Sequence, residues 1–168
     1  MTELLRLGRR VADICDELAM PCCLIGGLAL IFRGEDRTTR DVDMSVLTGF
    51  GNEHVLIDRM LEAFEPRVAN ARDHALTFRV LLLQHNRLGL DIGLAAFDFE
   101  KRFFERAVME NVVDDVWLPV ITAEDLIVMK AFADRPQDWV DLRGVIIRNE
   151  GKLDWDYTLE TLEPLAVL

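Results

Sequence analysis

Three cysteines in 168 residues, Cys15, Cys22 and Cys23, are too few and too closely placed for a paired disulfide framework or a spaced zinc motif. They read as reduced, buried thiols. Long hydrophobic runs are lacking as well: Pro21 to Phe32 is broken by glycines, and Val80 to Leu83 is far shorter than the roughly 20 apolar residues of a membrane-spanning helix. The first ten residues carry neither the apolar segment nor the small-residue cleavage site of a signal peptide, so a cytoplasmic protein with no membrane partner is expected. Basic residues are outnumbered, 19 lysines and arginines against 30 acids, and the formal net charge of -11 opposes broad attraction to nucleic-acid backbones. Internal repeats and low-complexity tracts are absent from the sequence.

What is present is the composition of a globular chain, 51% hydrophobic and 29% charged. One domain over residues 1–168 is expected, with a core at about 20–120 and a helical part at about 121–168. Leu4, Leu7, Val11, Ile14, Cys15 and Leu18 recur at helical spacing. Cys22 to Ile25 predicts a strand, Gly26-Gly27 a tight turn, and Leu28 to Arg33 a helix. Asp41 to Leu47 alternates as a half-buried strand, and Val55 to Phe64 predicts a helix stopped before Pro66. Leu76 to Gln84 and Arg87 to Leu94 predict an antiparallel hairpin bent at His85 and Asn86. A helix at Phe97 to Arg106 and one or two short strands around Asp114-Asp115 follow. Thr122 with Asp125 marks a helix N-cap, Pro136 opens another helix to about Ile147, and Trp155 to Leu165 predicts a last one.

Asp41 and Asp43 flank Val42, so the two-residue period of a strand sends both carboxylates to one face. Hard cations such as Mg²⁺ take oxygen ligands of this kind. A solvated strand end would show the same pattern. Asp91 is the lone acid between Gly89 and Gly93, opposite the apolar face of Leu88, Leu90, Ile92 and Leu94. Glycine in a strand often marks a place where a ligand or another backbone comes close. Set beside the Asp41 strand, Asp91 would complete a trio of like charges that calls for a cation; an exposed sheet face is the other reading. Gly26 and Gly27, at a helix start, allow phosphate oxygens near backbone N–H groups. Arg33, Arg37 and Arg40 form a local basic cluster just before the acids. His54, His74 and His85 are scattered and suggest no base.

The order from Ile25-Gly26-Gly27 through Arg37-Thr38-Thr39-Arg40-Asp41-Val42-Asp43 to Asp91 resembles the polymerase beta-like nucleotidyltransferase superfamily. Within it the Arg-X-Thr-X-Asp-X-Asp signature is most similar to the AbiEii toxins and their small relatives. Thr122 to Lys130, Arg135-Pro136-Gln137-Asp138 and Asp141-Leu142 resemble that group's helical lysine and aspartate motifs. The resemblance implies an α/β (α+β) nucleotidyltransferase fold, a mixed sheet flanked by helices with further helices at the C-terminus. It also implies Mg²⁺ or Mn²⁺ held by Asp41, Asp43 and Asp91, with Asp91 helping to activate an attacking hydroxyl. Gly26, Gly27, Arg37, Thr39, Arg40, Lys130, Asp138 and Asp141 would bind the nucleotide. Lys130 would neutralise phosphate, and Asp138 and Asp141 would either orient Lys130 or Arg40 or form a plain helix-surface ion pair. The implied reaction moves a nucleoside monophosphate from a triphosphate to RNA or tRNA, a protein or a small molecule, and an AbiEii-like toxin with a cognate antitoxin is one setting that the resemblance implies. The alternative is a non-catalytic nucleotide-binding or toxin-antitoxin partner-binding module.

Overall fold

The computed structural model describes residues 1–167; residue 168 of the expected domain lies outside the described residues. Seven strands form one mixed sheet in the order β3-β4-β5-β2-β1-β7-β6. In chain order they are β1 (Cys22–Leu24), β2 (Asp41–Leu47), β3 (Glu65–Pro66), β4 (Val80–His85), β5 (Leu88–Ala95), β6 (Val108–Val113) and β7 (Val116–Val120). The pairs β2/β5 and β1/β7 are parallel and the other neighbours antiparallel. The helices are α1 (Thr2–Glu17), α2 (Gly26–Phe32), α3 (Glu53–Ala63), α4 (Ala71–Phe78), α5 (Asp98–Arg106), α6 (Ala123–Ala133), α7 (Pro136–Arg148) and α8 (Trp155–Leu162).

Strand alternation sets the core. Val42, Met44 and Val46 of β2, Leu81 and Leu83 of β4, and Leu90, Ile92 and Leu94 of β5 are all buried. Each such side chain contributes about 1.5–3 kcal/mol by leaving water. The Leu4, Leu7, Val11 and Ile14 stripe of α1 packs on this face, and Gly8 permits close approach: a Cβ there would stand 3.2 Å from Leu118 and 3.6 Å from Val42.

Three expectations need correction. Leu76 to Phe78 is the end of α4, not the start of a strand. Ala71 and Ala75, one helical turn apart, supply its buried contacts, while Leu76 and Phe78 are exposed; Arg79, at φ 54, ends the helix. The hairpin turn is Asn86-Arg87, with φ 49 and 67, the double left-handed conformation of a two-residue hairpin loop. Arg33 is no part of a basic cluster near the acids. Its guanidinium donates to the carbonyls of Ile121 (2.6 Å) and Val120 (3.1 Å) and pairs with Glu110 at 2.9 Å, fastening α2 to β7 and β6. The two-residue β3, an edge strand where Pro66 withholds no needed donor, was not expected at all. Among the described residues no helix is long and apolar enough to cross a membrane.

Candidate active site

The antiparallel pairing of β1 with β2 brings the end of β1 to the start of β2, where Ile25 N–H donates to the Asp43 carbonyl at 2.9 Å. The parallel pairing of β2 with β5 places Asp41 opposite Gly89 and Asp43 opposite Asp91. Residues paired in this way share a face, on strands about 4.8 Å apart. Asp91 is therefore the register neighbour of Asp43 on the same face of the sheet.

Both glycine positions are crowded by carboxylates. A Cβ on Gly26, which has φ +60, would overlap the Asp43 carboxylate, and a Cβ on Gly89 would overlap that of Asp41. Gly27 N–H donates to Asp43 Oδ2 at 3.3 Å. Thr39 Oγ1 donates to the Asp41 carbonyl at 3.1 Å and accepts from the Asp41 N–H at 3.3 Å, which closes the loop between α2 and β2. Thr39 thus acts on the backbone that presents the first acid.

Gly26, Gly27, Arg37, Thr39, Arg40, Asp41, Asp43, Lys130, Asp138 and Asp141 line one cleft of about 560 Å³. Asp91 does not line it; it lies one strand further out, ion-paired with Arg67. On the opposite wall Lys130 Nζ donates to Asp138 Oδ1 at 2.8 Å and to Asp141 Oδ2 at 2.7 Å. These two acids are buried, so the surface ion-pair reading is replaced by an internal network. Their second cations are Arg135 for Asp138 and Arg37 for Asp141, so Arg135 and Arg37, and not Arg40, each share one carboxylate with Lys130. Arg40 has no side-chain hydrogen bond or ion pair among the described residues. Arg135 and Gln137 also line the cleft, and nothing but their place in the helical motif signalled it.

Burial pushes the Asp43 carboxyl above its ordinary range; the Gly27 N–H opposes this and the Asp41 charge adds to it. Burial also raises Asp91, against the Arg67 cation and with the charges of Asp43 and Asp41. For Asp138 burial is outweighed by the hydrogen bonds of Arg135 and Lys130, and its carboxyl is held low. Burial is likewise outweighed at Asp141 by Lys130 and Gln137. One wall therefore carries repelling acids and the other a neutralised network.

With the side chains as they stand, no three acids, histidines or cysteines among the described residues converge closely enough to share an ion. The donor set nevertheless fits a hard divalent cation. Asp41 and Asp43 are oxygen donors on one face, their carboxylates occupying the room that Gly89 and Gly26 leave by having no Cβ, neither has an ion-pair partner among the described residues, and a guanidinium already stands against the third acid.

Solved structures share the fold at low sequence identity. A crystal structure of an antigenic nucleotidyltransferase-like protein from Paracoccidioides brasiliensis aligns with TM-score 0.63 and 14% identity, over 99% of this chain and 87% of that one. ANT(2'')-Ia in complex with adenylyl-2''-tobramycin aligns with TM-score 0.61 and 16% identity, over 99% and 98%. The solution structure of the antibiotic-resistance factor ANT(2'')-Ia gives 0.59 and 18%, over 99% and 90%. No curated protein matches the chain. Residues 2–163 match the family described as nucleotidyltransferase of unknown function (DUF6036), and the chain belongs to that family.

Proposed function

We propose that the chain is a divalent-metal-dependent nucleotidyltransferase that moves a nucleoside monophosphate from a nucleoside triphosphate to a hydroxyl acceptor. The observation that carries this reading is the parallel register of Asp41-Val42-Asp43 with Gly89-Leu90-Asp91, in which Asp41 and Asp43 line the same cleft as Lys130 and Asp91 lies one strand further out.

Asp41 and Asp43 would hold Mg²⁺ or Mn²⁺, with Asp91 as the third acid. When bound, the metal supplies Lewis-acid stabilisation of the phosphate oxygens and of the entering and leaving groups. Gly26 and Gly27 open α2 at the cleft, where its first backbone N–H groups would face the triphosphate. Lys130, braced by Asp138 and Asp141, Arg37, braced by Asp141, and Arg40, which has no ion-pair partner among the described residues, offset the phosphate charge. Thr39 keeps Asp41 in place. Asp91 accepts the proton of the attacking hydroxyl, which forms a bond to the α-phosphorus as pyrophosphate leaves. No covalent enzyme intermediate is needed, because positioning and charge stabilisation carry such a transfer.

The formal net charge of -11 weighs against a polyanionic acceptor, so a small hydroxylated molecule is the favoured substrate class. Incubation with labelled nucleoside triphosphates, Mg²⁺ and cell extract should put label in the low-mass fraction, and Asp43→Asn should abolish it. Label in RNA or protein would reassign the acceptor. An AbiEii-like toxin would in addition arrest growth when expressed, an effect lost in Asp43→Asn. Reversible binding with no labelled product would support a non-catalytic module instead.

A further inference from the structure

Arg67, which belongs to none of the sequence motifs, is the cation that touches the acid trio. It follows β3, and its backbone N–H donates to the Leu82 carbonyl of β4 at 3.0 Å. Leu82 is the register partner of Asp91, so the side chain is launched directly towards that acid. Nη2 is ion-paired with Asp91 Oδ1, while Nη1 lies 3.0 Å from where a Gly89 Cβ would be, a point that the Asp41 carboxylate crowds from the other side. The guanidinium therefore sits over Gly89, between two of the three acids. Both members of the pair are about two-thirds covered, at 29% and 30% exposure, which sets it apart from a fully solvated surface bridge.

A guanidinium is permanently charged and cannot ligate a metal. While it holds Asp91, that carboxylate is not free to complete a metal site with Asp43, and the fixed positive charge repels a divalent ion beside it. We propose that Arg67 is a positioning residue that pairs with Asp91 and competes with a divalent ion for that carboxylate, weakening metal binding at Asp41 and Asp43. The inference rests on the metal-dependent reading above.

The test is Mn²⁺ binding to the nucleotide-free protein, followed by calorimetry or electron paramagnetic resonance, for wild type, Arg67→Met, Arg67→Lys and Asp43→Asn. Arg67→Met should bind Mn²⁺ at least about tenfold more tightly than wild type, since a charge a few ångströms away is removed. Arg67→Lys, which keeps the charge, should stay within about threefold of wild type. Equal or weaker binding by Arg67→Met overturns the proposal, as does equal tightening in both Arg67 variants, which would trace the effect to packing. If Arg67→Met does not fold, Arg67→Gln carries the same comparison. Wild-type binding that Asp43→Asn abolishes but Arg67→Met leaves unchanged removes only the role of Arg67. No Mn²⁺ bound by any variant, or binding indifferent to Asp43→Asn, removes the metal reading itself.

Discussion

Asp43 of β2 and Asp91 of β5 are direct register partners in a parallel strand pair, with their carboxylates on one face of the sheet. Burial raises the proton affinity of both; the Asp43 charge adds to this at Asp91, nearly fifty residues further along the chain, and the Asp41 charge adds to it at Asp43. That relationship is costly for the fold, and in the proposed function a bound cation offsets the repulsion.

Asp43→Asn should therefore separate stability from function. The folded-state pKa of Asp43 is raised, chiefly by burial, so its ionised form costs stability at neutral pH; the cost fades as pH falls through the folded value towards the unfolded one. In chelator at pH 7 the variant should be more stable than wild type in urea denaturation, and the gap should close in acid. Nucleotidyl transfer should fall by about 10³-fold or more, the several kcal/mol expected for loss of metal-assisted charge stabilisation.

Lys130→Met should do the opposite to the fold. It would leave Asp138 and Asp141 buried without their shared ammonium, a loss of about 3–5 kcal/mol. Both acids are held below their ordinary range, so the stability they contribute is present above the unfolded carboxylate pKa and disappears as pH falls through their folded values. Urea titrations across pH should show the deficit of Lys130→Met largest near neutrality and narrowing in acid.

Gly89→Ala tests the space beneath Asp41. The added methyl would displace a mobile carboxylate end rather than the backbone. Thermal melting should change little, whereas transfer should fall about 100-fold, as expected for an active group misplaced by about 1 Å. Gly49→Ala is the contrast: φ is +69 and nothing lies within reach of a Cβ, so it should cost about 1–2 kcal/mol of stability and leave transfer intact.

Thr122→Ala should act on the fold alone. Thr122 Oγ1 accepts from Asp125 N–H at 3.2 Å at the start of α6. Losing the cap should cost about 1 kcal/mol in chemical denaturation with transfer rates unchanged.

Asp41 to Leu47 was legible residue for residue because alternation against a buried face is a local signal, and the observed β2 spans the same residues. The N-cap at Thr122 and the first-turn proline Pro136 were legible for the same reason, since each states its structure within one turn. The α4 helix was missed because its buried face consists of two alanines, which a pattern of large apolar residues does not register. The departure of Arg33 from Arg37 and Arg40 was likewise hidden, since sequence proximity carries no information on which carboxylate or carbonyl each long side chain reaches.

Residue order alone determined which acids face which side of their strands, because the side-chain period of a strand is two whatever lies beside it. It did not determine that Asp43 would meet Asp91, that Asp138 and Asp141 would close on Lys130, or that Arg67 would reach the acid trio. Those contacts depend on strand register and on long side chains crossing between elements, quantities set by the packing of the whole sheet and its helices and written in no single segment.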